Sequence, residues 1–154
     1  MIYAQHFKPE EFREWAGDMS PRLVTMMDVL RFMCGRPISI SASPHALGRK
    51  LGRNSQSAHN VDLWGEVLAA DFFVSGVHYR EQAEGIVDTM RKIGFTGIGV
   101  YTDTRNNRGA GQVMFHGDVR PTAKMGAPAT WGRVNRKYCS LIKAIQSLPL
   151  GGKA

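Results

Sequence analysis

Two stretches far apart in the chain carry the residue types that could do chemistry. Residues 57–73, SAHNVDLWGEVLAADFF, offer His59 and Asp71, and residues 113–121, VMFHGDVRP, offer His116 and Asp118. Two imidazoles and a carboxylate are the donor set of a catalytic zinc ion, which keeps a fourth position open. In the second stretch a period of two puts Met114, His116, Asp118 and Arg120 on one strand face, with Val113, Phe115, Gly117 and Val119 on the other. Asp71 interrupts an apolar run from Leu68 to Val74, and a carboxylate there is costly to bury unless it is paired or binds a cation. Each residue alone has an ordinary reading, a satisfied core histidine or a turn-capping aspartate. Together His59, Asp71 and His116 are the expected ligands. On the strand three assignments stay open: both residues bind one metal, His116 ligates and Asp118 handles a proton, or the reverse.

The elements that must position these residues follow from pattern and punctuation. Pro9 and two acids start a short helix over 7–16, with Phe12 and Trp15 on its apolar edge. Ser20-Pro21 starts a longer one, whose stripe Leu23, Met26, Met27, Leu30 and Met33 reads as core packing and which ends near Gly35. PISISAS, 37–43, alternates as a strand, and the Gly-, Ser- and Asn-rich stretch 44–60 is a long loop that delivers His59. His45 in that loop and His78 further on are read as surface residues. Residues 68–74 form the strand carrying Asp71. Tyr79 to Ile93 form a second amphipathic helix, with Ala83, Ile86, Val87, Met90 and Ile93 inward and Gly94 as its stop. Gly97 to Asp103 and the His116 strand make an antiparallel hairpin joined by the turn-rich 104–111, with Tyr101 close to the metal. The stretch TAKMGAPATWGR is expected as loop, with Trp131 on substrate or over the core. Val134 to Leu148 is expected as a terminal helix with Val134, Tyr138, Leu141, Ile142 and Ile145 inward, and the final GGKA is expected to fray.

At 154 residues the chain suits one domain with a real core, here taken as 1–154. An apolar content of 43% with 21% charged residues is that of a globular protein rather than a disordered one. No apolar run approaches the ~20 residues that span a bilayer, and the first residues lack the pattern of a secretory signal. A net charge of +7 and a pI near 9.8 favour a polyanionic partner. The basic residues are dispersed and no nucleic-acid motif accompanies them, so nucleic acid is not the expected partner. Cys34 and Cys139 form no metal-binding pair and are read as free thiols.

The order Ser57-x-His59, Gly65, Ala69-Ala70-Asp71, then Gly97-Ile98-Gly99-Val100-Tyr101 and Phe115-His116-x-Asp118-x-Arg120, over about residues 7–133, resembles the M15 family of zinc peptidases. These are D-alanyl-D-alanine carboxypeptidases and related peptidoglycan endopeptidases, many of them phage-encoded. The resemblance implies an α+β fold, a small and mainly antiparallel sheet with packed helices whose middle strands present the ligands. It implies Zn²⁺ on His59, Asp71 and His116, and a peptidoglycan stem peptide as substrate. Asp118 is then the first choice for carrying the proton and Glu66 the second, Tyr101 donates to the developing oxyanion, and Arg120 orients Asp118 or binds a substrate carboxylate. The interval of twelve from His59 to Asp71 is longer than the family's, so residues 60–66 are expected to bulge, or Asp62 or Glu66 to take part. The family's Ser-Gly-Tyr-Arg turn after the preceding strand is replaced by Ser41-Ala42-Ser43-Pro44, its arginine being supplied by Arg49, by Arg53 or by nothing. The lack of an export signal suits an enzyme made in the host cytoplasm that reaches the wall by holin-type release, or one carried in the virion beside tail proteins. Two alternatives remain: a phage structural or binding module that keeps the fold without hydrolysis, and a basic nucleic-acid-binding protein.

Overall fold

The computed structural model of the protein describes residues 4–151, so the fraying expected of the last residues falls outside it except for Gly151. A 3-10 helix, Pro9–Trp15, precedes α1, Pro21–Cys34. β1, Ile38–Ile40, is followed by a long loop and the single turn α2, Val61–Trp64. Then come β2, Ala69–Val74, α3, Arg80–Ile93, β3, Gly97–Tyr101, and β4, Met114–Asp118. The chain closes with β5, Ala129–Val134, β6, Lys137–Cys139, and α4, Leu141–Gln146. The strands make one six-stranded sheet in the order β1-β2-β4-β3-β5-β6, antiparallel at every pairing except β3 with β5. The protein is therefore α+β with a mixed but mainly antiparallel sheet.

Local chemistry accounts for the helices that the sequence marks. The Ser20 hydroxyl accepts from Leu23 N, Pro21 fills the first position, and Gly35 ends α1 in the left-handed region at φ 62°. In α3 the Gln82 side chain accepts from the backbone of His78 and Tyr79, and Gly94 stops the helix at φ 105°. Ala83, Ile86, Val87 and Met90 are its buried face, as the spacing predicts, with Ile93 partly buried. Met33, expected in the core stripe of α1, is instead half exposed.

The hairpin β3–β4 forms as expected, pairing Gly99 with His116 and Tyr101 with Met114. The bulge expected over 60–66 is α2 with its left-handed Gly65. The region after Pro121 differs from expectation. Residues 129–134 are a strand, and the expected terminal helix is divided into β5, β6 and a short α4. The cause is Asn135 and Arg136, both at positive φ (50° and 66°), which turn the chain tightly enough for antiparallel return. Ser140 then caps α4, accepting from Lys143 N. Val134 and Tyr138 consequently lie in strands, Tyr138 and Ile142 are exposed, and only Leu141 and Ile145 of the predicted inward set are buried.

Alternation gives the sheet two faces. Phe72, Phe115, Ile98, Val100 and Gly117 lie on the core side, where Gly117 leaves room for Phe95 and Met90, and Gly132 for Ala144. α3 and α4 meet this side through those contacts, and α1 packs along α3. The other face carries the candidate site. No helix among the described residues is long and apolar enough to cross a membrane.

Candidate metal centre

Two rows of side chains cross the open face of the sheet. In one, Asp71 of β2 lies directly opposite His116 of β4, followed by Gly99 of β3 and Trp131 of β5. In the other the register runs Phe73, Met114, Tyr101, Arg133, Tyr138. Gly99 supplies no side chain, so the His116 and Trp131 rings meet across it at 4.8 Å. Both rows line a cleft of about 660 Å³, walled on the β1 side by Ser41, Ser43, Arg49 and Ser57.

His59 reaches this face from the long loop. Its backbone carbonyl accepts from Arg49 N, and the fully buried Asn60 holds the loop around it. Asn60 donates to the Gly52 and Ser55 carbonyls and accepts from Leu51 N and Asp62 N. One ligand atom from each of His59, Asp71 and His116 lies within 4.8 Å of the others, and all three residues are buried. His59 Nε2 is 3.5 Å and His116 Nδ1 3.0 Å from Asp71 Oδ1.

The outward nitrogens are committed. His59 Nδ1–H donates to the Leu47 carbonyl, leaving Nε2 as the unprotonated atom aimed at Asp71. His116 Nε2–H donates to Asp118 Oδ2 at 2.7 Å, which aims Nδ1 at the same point. Holding the far nitrogen of each imidazole with a carbonyl or carboxylate is how proteins orient histidine ligands. The residues present therefore fit a metal ion by donor type, by convergence and by fixed tautomer.

Electrostatics agree. Burial disfavours the Asp71 carboxylate, but the hydrogen bond from a protonated His116 outweighs it and holds its pKa well below the usual range. Burial likewise opposes charge on His116, yet its bonds to Asp118 and Asp71 push its pKa up to about 8. His59 goes the other way, lowered by burial that Asp71 only partly offsets, and so is neutral and ready to ligate. Tyr101 is pushed up to about 12 by burial. Its hydroxyl accepts from Trp131 Nε1–H at 2.7 Å and keeps its own proton free to donate.

The remaining expected site residues fall in different places. Asp118 is fully buried behind His116, with Arg120 clamped on it through Nε at 2.9 Å and Nη2 at 2.5 Å. Those partners overcome burial and hold its carboxyl well below the usual range. Of the two roles read for Arg120, orienting Asp118 is the one the contacts support. Glu66 follows α2 and does not line the cleft, whereas Tyr101 and Arg120 do. Of the two arginines considered as substitutes, Arg49 lines the cleft, 3.4 Å from Asp71, and Arg53 does not. Trp131 packs against His116 and lines the cleft rather than the core. Cys34 and Cys139 are free, as read. Sequence reasoning missed Asn60 and the Leu47 carbonyl. Asn60 has a signal, a capping residue that accepts from Asp62 N at the start of α2, but a backbone carbonyl leaves none.

Fold and site together define an α+β protein whose buried His-Asp-His cluster, on the floor of an open cleft, could hold a metal ion. Comparison of the chain with protein-family models, with curated proteins and with solved structures finds no match.

Proposed function

We propose that the protein is a zinc-dependent peptidase acting on a stem peptide of bacterial peptidoglycan, with an M15-like arrangement of its site. The observation that carries this reading is the convergence of His59 Nε2, Asp71 and His116 Nδ1 at the floor of a cleft, each histidine fixed from behind. Zinc held there would supply the Lewis acidity for attack of water on a peptide carbonyl. The chain's own residues do the rest. Asp118, locked by Arg120, holds the proton on His116 Nε2 and so keeps Nδ1 a donor. Tyr101 stays protonated at neutral pH and offers its O–H to an oxygen gaining negative charge. Trp131 and Tyr138 form the aromatic side of the cleft. A phage lytic or virion-borne enzyme is the setting this reading suits.

One observation favours a second reading, a metal-binding module without hydrolysis. Apart from the ligand Asp71, no carboxylate lines the cleft among the described residues, since Asp118 is buried behind His116 and Glu66 lies elsewhere. The test is digestion of isolated peptidoglycan by purified protein, with chelator and with zinc restored, reading released fragments by mass. New peptide termini that vanish with chelator and return with zinc are expected. Zinc bound without any new terminus on several wall types would favour the second reading.

A further inference from the structure

Four guanidinium groups line the cleft, Arg49, Arg105, Arg120 and Arg133, against one acid, Asp71. Three of the four already have an acidic partner. Arg120 is clamped on Asp118, and Arg133 binds Asp103 through Nε at 3.1 Å and Nη2 at 2.9 Å. Arg49 lies 3.4 Å from Asp71 and donates through Nε to the His45 carbonyl. Arg105 alone has no carboxylate partner among the described residues. Its one hydrogen bond runs from Nη1 to the Gly109 carbonyl, which leaves the rest of its donor fork unused.

The loop that carries Arg105 is not a loose flap. Asn107 donates to the Ile40 carbonyl at 2.9 Å and accepts from Ala42 N at 2.7 Å. Gln112 donates to the Val74 carbonyl at 2.6 Å, so the loop is tied to the ends of β1 and β2. Arg105 is an exposed residue on the wall of the cleft, carried by a loop that Asn107 and Gln112 anchor to β1 and β2. A guanidinium is the side chain best suited to a planar carboxylate, because its fork matches the two oxygens.

We propose that Arg105 is the carboxylate receptor of the cleft, so that the substrate is an acidic peptide lying across the strands with one free carboxylate on Arg105. The assignment takes its choice of peptide from the peptidase reading above. A carboxylate within the peptide and one at its C-terminus are equally served by this chemistry.

The test uses zinc-loaded full-length protein and the synthetic stem peptide L-Ala-γ-D-Glu-L-Lys-D-Ala-D-Ala in three forms. One has free acids, one carries an amide at the D-Glu α-carboxyl, and one carries a C-terminal amide. Binding is measured by calorimetry and cleavage by mass and rate. For the wild type, one of the two amidated forms is expected to bind about tenfold more weakly, or to show that rise in KM at similar kcat, and its identity names the carboxylate. Arg105→Gln is expected to bind the free acid no better than that amide, and Arg105→Lys to recover part of the difference. Zinc content of the variants confirms that they fold. Equal binding of all three forms by the wild type would overturn the proposal, as would an Arg105→Gln variant that still prefers the acid. Acid-selective binding without any cleavage would sustain Arg105 as receptor while removing hydrolysis; absence of binding would end both.

Discussion

His116 is held between two carboxylates, Asp71 on Nδ1 and Asp118 on Nε2, and this decides how a metal would compete for it. Its pKa, pushed up to about 8, keeps it charged at neutral pH in the metal-free protein, so a metal must displace the Nδ1 proton. Zinc binding at pH 7 should release close to one proton, falling away above pH 8, as read by calorimetry in buffers of different ionisation heat. Binding without proton release at pH 7 would show that His116 is not a ligand. The sign for stability is opposite. A raised folded pKa stabilises the metal-free protein below the unfolded value near 6.5, and that contribution is lost as pH rises through 8. Asp118→Asn keeps an acceptor for Nε2–H but loses the charge and the Arg120 clamp. It should weaken zinc affinity by about 10–100-fold without abolishing it, measured by competition with a chromogenic chelator, whereas His59→Ala should leave no stoichiometric zinc.

At the scale of elements, β3 shows how strands shape the site by what they omit. Gly97 lies opposite Asp118, and a Cβ there would collide with the Asp118 carboxylate. Gly97→Ala should therefore cost about 1–3 kcal/mol and weaken zinc binding together with it. Gly85→Ala, on the exposed face of α3 with nothing near the added methyl, should stabilise by about 0.5–1 kcal/mol and leave zinc binding alone. Urea unfolding and zinc titration of both variants separate a site glycine from a merely tolerated one; equal effects on zinc binding would remove the distinction. The same elements mark what the sequence could show. Alternation around His116 and the single charge in the run around Asp71 put both residues on one face, because burial imposes a period of two. His59 was legible by type, though its place depends on the Asn60 side-chain amide, which binds backbone groups of the loop, and on the Leu47 carbonyl. The β5–β6 turn was hidden because Asn135-Arg136 lacks the glycine that usually marks such a turn, and apolar spacing alone then read as helix. Asp118 was rightly placed on the His116 face, but alternation could not show that His116 and Arg120 cover it completely.

For the whole molecule, the cluster joins segments that are distant in the chain: the loop before α2, the second strand and the fourth. A metal at their meeting point would close long loops in the folded state only, so its binding free energy would add directly to folding. At a free concentration near 100 times Kd this is about 2.7 kcal/mol. For a chain of this size each kcal/mol moves the melting temperature by roughly 2–4 °C, so chelation should lower it by about 5–11 °C. The loop 44–60, which has neither helix nor strand and is tied by the Arg49-to-His59 backbone bond, should lose amide-exchange protection first. Differential scanning calorimetry with and without chelator, on wild type and on His59→Ala, checks both the size and the origin of the shift. The variant should melt at the chelated temperature whatever is added. A wild type that ignores chelator, while zinc is shown by mass to leave, would mean that the three segments are held by their hydrogen bonds alone and that the metal contributes nothing to the fold.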